Sequence, residues 1–164
     1  MRLVRRAFRS ARLEPSVILS LLVLSLSACS PAVKGTQERG GTMTPSIIDP
    51  YLHIQHALAD DSVDEVKANA GMLATAAAAL GAPAAKIDAA ALQLAEAGDL
   101  TATRDRFGTL SEAIVTYMDG FHLSPPEGVR IATCPMVNKP WLQQEATLAN
   151  PYYGKSMLTC GSFR

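Results

Sequence analysis

The feature that most limits what this 164-residue chain can fold into is a run of apolar positions spaced for a helix. Val66, Ala70, Leu73, Ala77 and Leu80 recur at alternating intervals of four and three, so they share one side of a helix and need covering by other elements. Ser62-Val-Asp-Glu65 ahead of them has the pattern in which Ser and Glu satisfy each other's free backbone donors. Gly81 stands where a left-handed residue can close the helix.

The same grammar repeats on either side. Asp49-Pro50 offers an N-cap followed by proline at the first helical position, and Tyr51, Ile54 and Leu58 then share a face to about Ala59. Pro83 opens a third helix with the stripe Ile87, Ala91 and Leu94, ended by Gly98. Asp99 caps a fourth through Phe107, Leu110, Ile114, Met118 and Phe121. Short turns between such segments predict a mainly α domain, an antiparallel bundle of three to four helices over residues 47–124. The alanines, Ala76-Ala77-Ala78-Ala79 among them, fit close helix packing or a face kept smooth for a protein partner.

Ahead of the helices lies an export signal. Arg2, Arg5, Arg6, Arg9 and Arg12 precede the apolar run Val17–Leu26, which is about half of the ~20 residues a membrane-spanning helix needs. Leu26-Ser27-Ala28-Cys29 resembles the lipobox of bacterial lipoproteins, which implies cleavage after residue 28 and lipid on Cys29. Ser30, rather than an aspartate, follows that cysteine and favours the outer membrane. Residues 29–46, rich in Gly, Thr and charge, read as a flexible tether from lipid to domain. The chain has 15 Lys+Arg and 15 Asp+Glu. The signal carries five of the former and one of the latter, which leaves ten against fourteen. A mature net charge near −4 without a basic stripe argues against nucleic acid.

After Ser124-Pro125-Pro126 the pattern changes to strand-like Val129, Ile131, Leu158 and Thr159, with turn signals at Asn150-Pro151 and Tyr153-Gly154. Residues 125–164 thus form a small strand pair or ordered loop. It contains Cys134-Pro-Met136 and Met157-Leu-Thr-Cys160, and pairing of 131–136 with 157–161 would bring the four sulfurs together. Thiolate and thioether sulfurs prefer soft ions such as Cu(I) or Ag(I), whereas zinc sites use Cys, His and carboxylate. With Cys29 taken by lipid, Cys134 and Cys160 are the remaining thiols of an oxidising compartment. They are ligands, or a disulfide closing a loop of about 27 residues for ~3 kcal/mol on a chain-entropy model.

The run Val129-Arg-Ile-Ala-Thr-Cys-Pro-Met136, then Trp141-Leu142, then Asn150-Pro-Tyr-Tyr-Gly-Lys-Ser-Met-Leu-Thr-Cys-Gly161 resembles the domain family of unknown function DUF3347. The resemblance covers residues from about 47 to the end. It implies a periplasmic or lipid-anchored domain, found alone or fused to the periplasmic adaptors of copper and silver efflux systems, and hence a copper-handling accessory.

Other candidates are simpler. His53 and His56 lie three apart on the first helix and face one way, as ligands or as a solvent face. His122 can favour the C-terminus of the fourth helix when protonated. Trp141 is a packing anchor or a shield for Cu(I), and Asn150, Tyr152, Tyr153 and Gly154 make the turn that presents Met157 and Cys160. No nucleophile beside a base, phosphate-cradling glycine loop or paired carboxylate site is present, so no enzyme is expected.

Overall fold

The computed structural model describes residues 40–164. The export signal, Cys29 and most of the tether lie outside the described residues. Four α-helices are followed by a three-stranded antiparallel sheet: α1 (Pro45–Ala59), α2 (Val66–Ala79), α3 (Ala85–Ala95), α4 (Leu100–Gly120), β1 (Arg130–Cys134), β2 (Lys139–Gln143) and β3 (Ser162–Phe163). The protein is mainly α with a C-terminal strand group. None of these helices is long and apolar enough to cross a membrane.

Each helix is buried along the stripe its sequence marks. Tyr51, Ile54 and Leu58 of α1, Val66, Ala70, Leu73 and Ala77 of α2, Ile87, Ala91 and Leu94 of α3, and Phe107, Leu110, Ile114 and Met118 of α4 join one apolar core. Helix α2 packs against both α1 and α3, and α3 against α4. The small residues Ala70, Ala74, Ala77, Ala90 and Ala91 are buried and serve close packing, whereas in the run Ala76–Ala79 only Ala77 is buried and Ala78 and Ala79 are exposed. The stripes stop short at two places. Leu80 and Phe121 are exposed, because each lies past the last turn of its helix.

Helix starts depart more. Helix α1 begins at Pro45, four residues before Asp49, with Thr44 as its N-cap. Pro45 is as suited to a first turn as Pro50, and the earlier start buries Ile47 and Ile48. Pro50 then sits inside the helix, where it removes the bond to Ser46, an exposed residue of the first turn. Residues 41–46, expected to belong to a tether, are likewise part of the fold. Met43 is buried, its N–H donates to the Ser124 carbonyl at 2.9 Å, and Ser124 N–H donates to Gly41 at 3.0 Å. The strand-like pairing of Thr42 with Ser124 thus pins the chain to the end of α4.

The capping box at Ser62 does not form. Ser62 Oγ accepts from Asp64 N–H, one residue too early, and Glu65 takes a left-handed φ of 60°. The Asn69 side chain instead donates to the Glu65 carbonyl. At α4 the expected cap is present, with Asp99 Oδ1 accepting from Ala102 N–H at 2.8 Å. Gly81 follows α2 with a positive φ of 77°, but its ψ of −161° is extended and not that of the left-handed closing residue expected.

The strand pairing is also corrected. Strand β1 pairs not with 157–161 but with β2, in the register Ala132 opposite Trp141 and Cys134 opposite Lys139, and on its other edge with β3, Thr133 opposite Ser162. The nearer partner wins because residues 135–138 form a tight turn in which Asn138 takes a φ of 52°. Leu158 and Thr159 are exposed loop residues, and the Leu158 carbonyl is held by Asn150 N–H at 2.7 Å.

Candidate functional site

The sheet meets the helices through aromatic rings. Tyr51 of α1 stacks on Phe107 of α4 at 4.9 Å, Phe107 lies 6.0 Å from Tyr152, and Tyr152 meets Trp141 edge-on at 6.0 Å. The fully buried Tyr51 hydroxyl lies 2.6 Å from Ser111 Oγ and accepts from Leu142 N–H, so one phenol joins α1, α4 and β2. Burial pushes the hydroxyls of Tyr51 and Tyr152 well above the ordinary phenol range, so both remain neutral donors. Tyr152 donates to the Pro140 carbonyl.

Trp141 is completely buried and donates from Nε1 to Gln143 Oε1 at 2.8 Å. It is therefore a packing anchor. Gln143, also fully buried, then ties down the loop beyond β2: its amide donates to the carbonyls of Glu145 and Thr147, and its oxygen also accepts from Ala149 N–H. Arg130 adds two bonds to the Glu145 and Ala146 carbonyls from outside, with its guanidinium 3.6 Å over the Phe163 ring. The loop thus delivers Asn150 to a fixed place.

That place is between the two cysteines. Asn150 is fully buried; its Nδ2 donates to Cys134 Sγ at 3.3 Å and to the Cys160 carbonyl at 2.7 Å, while Oδ1 accepts from Tyr152 N–H at 2.8 Å. Cys134 and Cys160 converge on one amide although 26 positions separate them. Both are free thiols, Cys134 buried and Cys160 partly exposed. The β1–β3 register accounts for the meeting, because one step beyond Thr133 and Ser162 it sets Cys134 beside Gly161. A side chain at Gly161 would run into the Trp141 ring, so the close approach of this strand needs glycine there.

The methionines are placed differently. Met136 lies in the β1–β2 turn and is 61% exposed; Met157, after the short 3-10 turn Gly154–Ser156, is 37% exposed. Their neighbours Val137 and Leu158 are also exposed, while Cys134 is buried and Cys160 partly so. The turn that carries Met157 is anchored at Gly154. That residue has a φ of 54°, and a β-carbon there would collide with the Asp61 carboxylate and the Arg104 guanidinium. Arg104 donates to Asp61, to the Leu58 carbonyl and to the Pro151 carbonyl, joining the end of α1 to the Asn150-Pro151 turn. Its hydrogen bond holds the Asp61 carboxyl below the usual carboxylate range. Tyr153 is half-buried against the core beside them.

His53 and His56 are exposed, as a solvent face of α1 would be, but they line a cleft of about 400 Å³ with Asp49 and Glu145. His56 lies 3.6 Å from Asp60 and 3.7 Å from Glu145. Among the described residues no group of three or more His, Cys, Asp or Glu side chains is gathered so as to hold a metal ion. His122 follows α4 with a φ of 52°, exposed at its C-terminal end.

Sequence reasoning missed Gln143, Arg104 and Arg130. The first carries a signal in hindsight: on a strand, residues two apart share a face, so the residue two beyond Trp141 is placed to meet its indole N–H. The two arginines give no such signal, because their partners, the Asp61 carboxylate among them, lie well away in the chain.

No protein-family model, curated protein or solved structure matches the chain.

Proposed function

We propose that the protein is a soft-metal accessory of the cell envelope, which takes Cu(I) or Ag(I) as cargo on sulfur and serves metal efflux or homeostasis rather than catalysis. The observation that carries this reading is the convergence of Cys134 and Cys160 on the buried Asn150 amide. A pair of thiols is a minimal donor set for a monovalent soft ion, which accepts two or three sulfurs where zinc asks for four ligands. In this reading the exposed thioethers of Met136 and Met157 supply further donors to the ion. This placement agrees with the Cys-Pro-Met and Met-x-x-Cys-Gly motifs through which the sequence resembles copper-related domains.

In the same reading the four helices form an antiparallel bundle that carries the site at its sheet end. Lipid on Cys29, with residues after it as a short tether, holds the domain on the periplasmic face of the outer membrane, within reach of an efflux adaptor.

Titration of the reduced full chain in detergent with Cu(I), against a chelator of known affinity, tests the proposal. The expected result is one tightly held ion per chain, lost in Cys134→Ser and Cys160→Ser and weakened in Met136→Ala and Met157→Ala. Unchanged affinity in all four variants would place the site elsewhere.

A second reading has its own support. Asn150 bonds the Cys134 sulfur and the Cys160 main-chain carbonyl, and in an oxidising compartment a disulfide between these two residues would staple the tail of a protein-binding module. Intact mass with and without thiol trapping separates the two: a chain isolated with free thiols excludes the staple.

A further inference from the structure

We propose that Asn150 is the positioning residue of the sulfur site: it commits both amide hydrogens, one to the Cys134 sulfur and one to the Cys160 carbonyl, so that the two cysteines are held as a unit. The proposal deepens the soft-metal reading and takes its functional consequence from it, but its geometry stands alone.

The orientation of the amide is fixed by its neighbours. Tyr152 N–H can only donate, so Oδ1 faces it at 2.8 Å. The Cys160 carbonyl can only accept, so Nδ2 faces it at 2.7 Å. The second hydrogen of Nδ2 then has Cys134 Sγ as its partner at 3.3 Å, and the sulfur is the acceptor. The main chain of Asn150 is committed as well. Its N–H donates to the Leu158 carbonyl at 2.7 Å and its carbonyl accepts from Gly154 N–H at 3.0 Å. Residues 150–160 are thereby closed into a loop whose two ends meet at one side chain, and that side chain reaches across to β1.

The chemistry requires such a residue. A thiolate bound to a cation keeps lone pairs, and a hydrogen bond to one of them orients the sulfur without competing for the ion. Cys160 lies just ahead of β3, so the β1–β3 register brings its main chain near Cys134 and the Asn150 amide fixes its carbonyl there. Residues that orient a metal ligand are commonly worth about 10–100-fold in affinity. Among the described side chains Asn150 is the one bonded to both cysteines.

Two substitutions separate this role from a purely architectural one. Asn150→Asp keeps the size and the oxygen that accepts from Tyr152, but puts an acceptor where both hydrogens were; Asn150→Ala removes everything. The proposal expects Cu(I) affinity of the full chain in detergent to fall roughly 10–100-fold in both variants. If the turn alone matters, Asp retains the unmodified affinity while Ala does not, and the proposal is overturned.

A second measurement needs neither metal nor a change at Asn150. The side-chain amide resonance of Asn150 in the ¹⁵N–¹H spectrum of the reduced chain is expected to move in Cys134→Ala and to stay in place in Met136→Ala. No movement in Cys134→Ala overturns the proposal, including where Asn150→Asp fails to fold. If the unmodified chain binds no Cu(I), the soft-metal reading falls, and the resonance alone decides the role of Asn150.

Discussion

The helical half and the C-terminal segment of this protein are stabilised in different ways. In α1 to α4 the helical ladders satisfy most of the backbone, and the buried surface is mainly aliphatic: Leu73, Ala77, Ile87, Leu94, Leu110 and Ile114 fill it, with Gln55, Asn69, Thr103 and Ser111 as its few buried polar residues. Beyond Pro126 the strands are short, and the chain from 144 to 160 has little ladder to pair with. Its carbonyls and N–H groups are met instead by side chains, namely Gln143, Asn150, Arg130, Arg104 and, from α1, Gln55, which donates to the Ala149 carbonyl. The comparison teaches that volume protects the first region and individual amides the second. The Cys134–Asn150–Cys160 arrangement lies in the second kind of region, where each bond fixes a direction as well as a distance.

The sharpest way to break the contrast is to remove volume from the helices. Leu73→Ala, at a completely buried position of α2, is expected to cost about 3 kcal/mol, seen as a lower urea midpoint, and to leave the Cys134–Asn150–Cys160 arrangement intact. Gln143→Ala is the matched experiment in the other region. It leaves the Trp141 indole N–H and the Ala149 N–H without their partner and frees the Glu145 and Thr147 carbonyls, for about 2 kcal/mol. Its diagnostic effect lies elsewhere: amide exchange should accelerate across 144–160 while α2 and α3 stay protected. Uniform acceleration in both regions would show that the two are one cooperative unit.

The smallest effect is a pH dependence at the seam between the regions. Asp61 has its carboxyl lowered from 3.8 by the Arg104 hydrogen bond, with a further bond from Lys155 N–H. A lowered folded value means that the unfolded chain takes up the proton first. The contribution of the pair is therefore complete above the ordinary carboxyl value and is lost as the pH falls through the lowered one. Asp61 is solvent-exposed, so the effect is slight. Denaturation midpoints of the unmodified chain and Asp61→Asn are expected to differ at neutral pH and to converge in acid.

How far these arrangements were legible follows from the same physics. The stripes of α1 to α4 could be read because a helix buries residues by a local period, and the Asp99 cap could be read because its partner is three residues away. The start of α1 could not, since Pro45 and Pro50 are equally suited to a first turn and only the burial of Ile47 and Ile48 distinguishes them. The expected pairing of 131–136 with 157–161 is replaced by β2 and β3, which leaves 157–159 as exposed loop; what links Cys134 to Cys160 is the Asn150 amide, through a sulfur on one side and a main-chain carbonyl on the other. Trp141 was readable as an anchor, and Gly154 as a turn residue, but not the Asp61–Arg104 pair that excludes a side chain there.

The sequence by itself determined the four helices, their buried faces and the chemical character of the C-terminal residues, because periodicity, caps and sulfur chemistry are properties of short segments. It also carries Leu26-Ser-Ala-Cys29, which resembles a lipobox. Only the tertiary structure decided which strand lies beside β1, which cysteine is buried, and that a single asparagine joins the two. Those outcomes depend on partners far apart in the chain, where the turn at 135–138 competes with more distant pairing and a buried amide takes whichever acceptors the packing brings within reach.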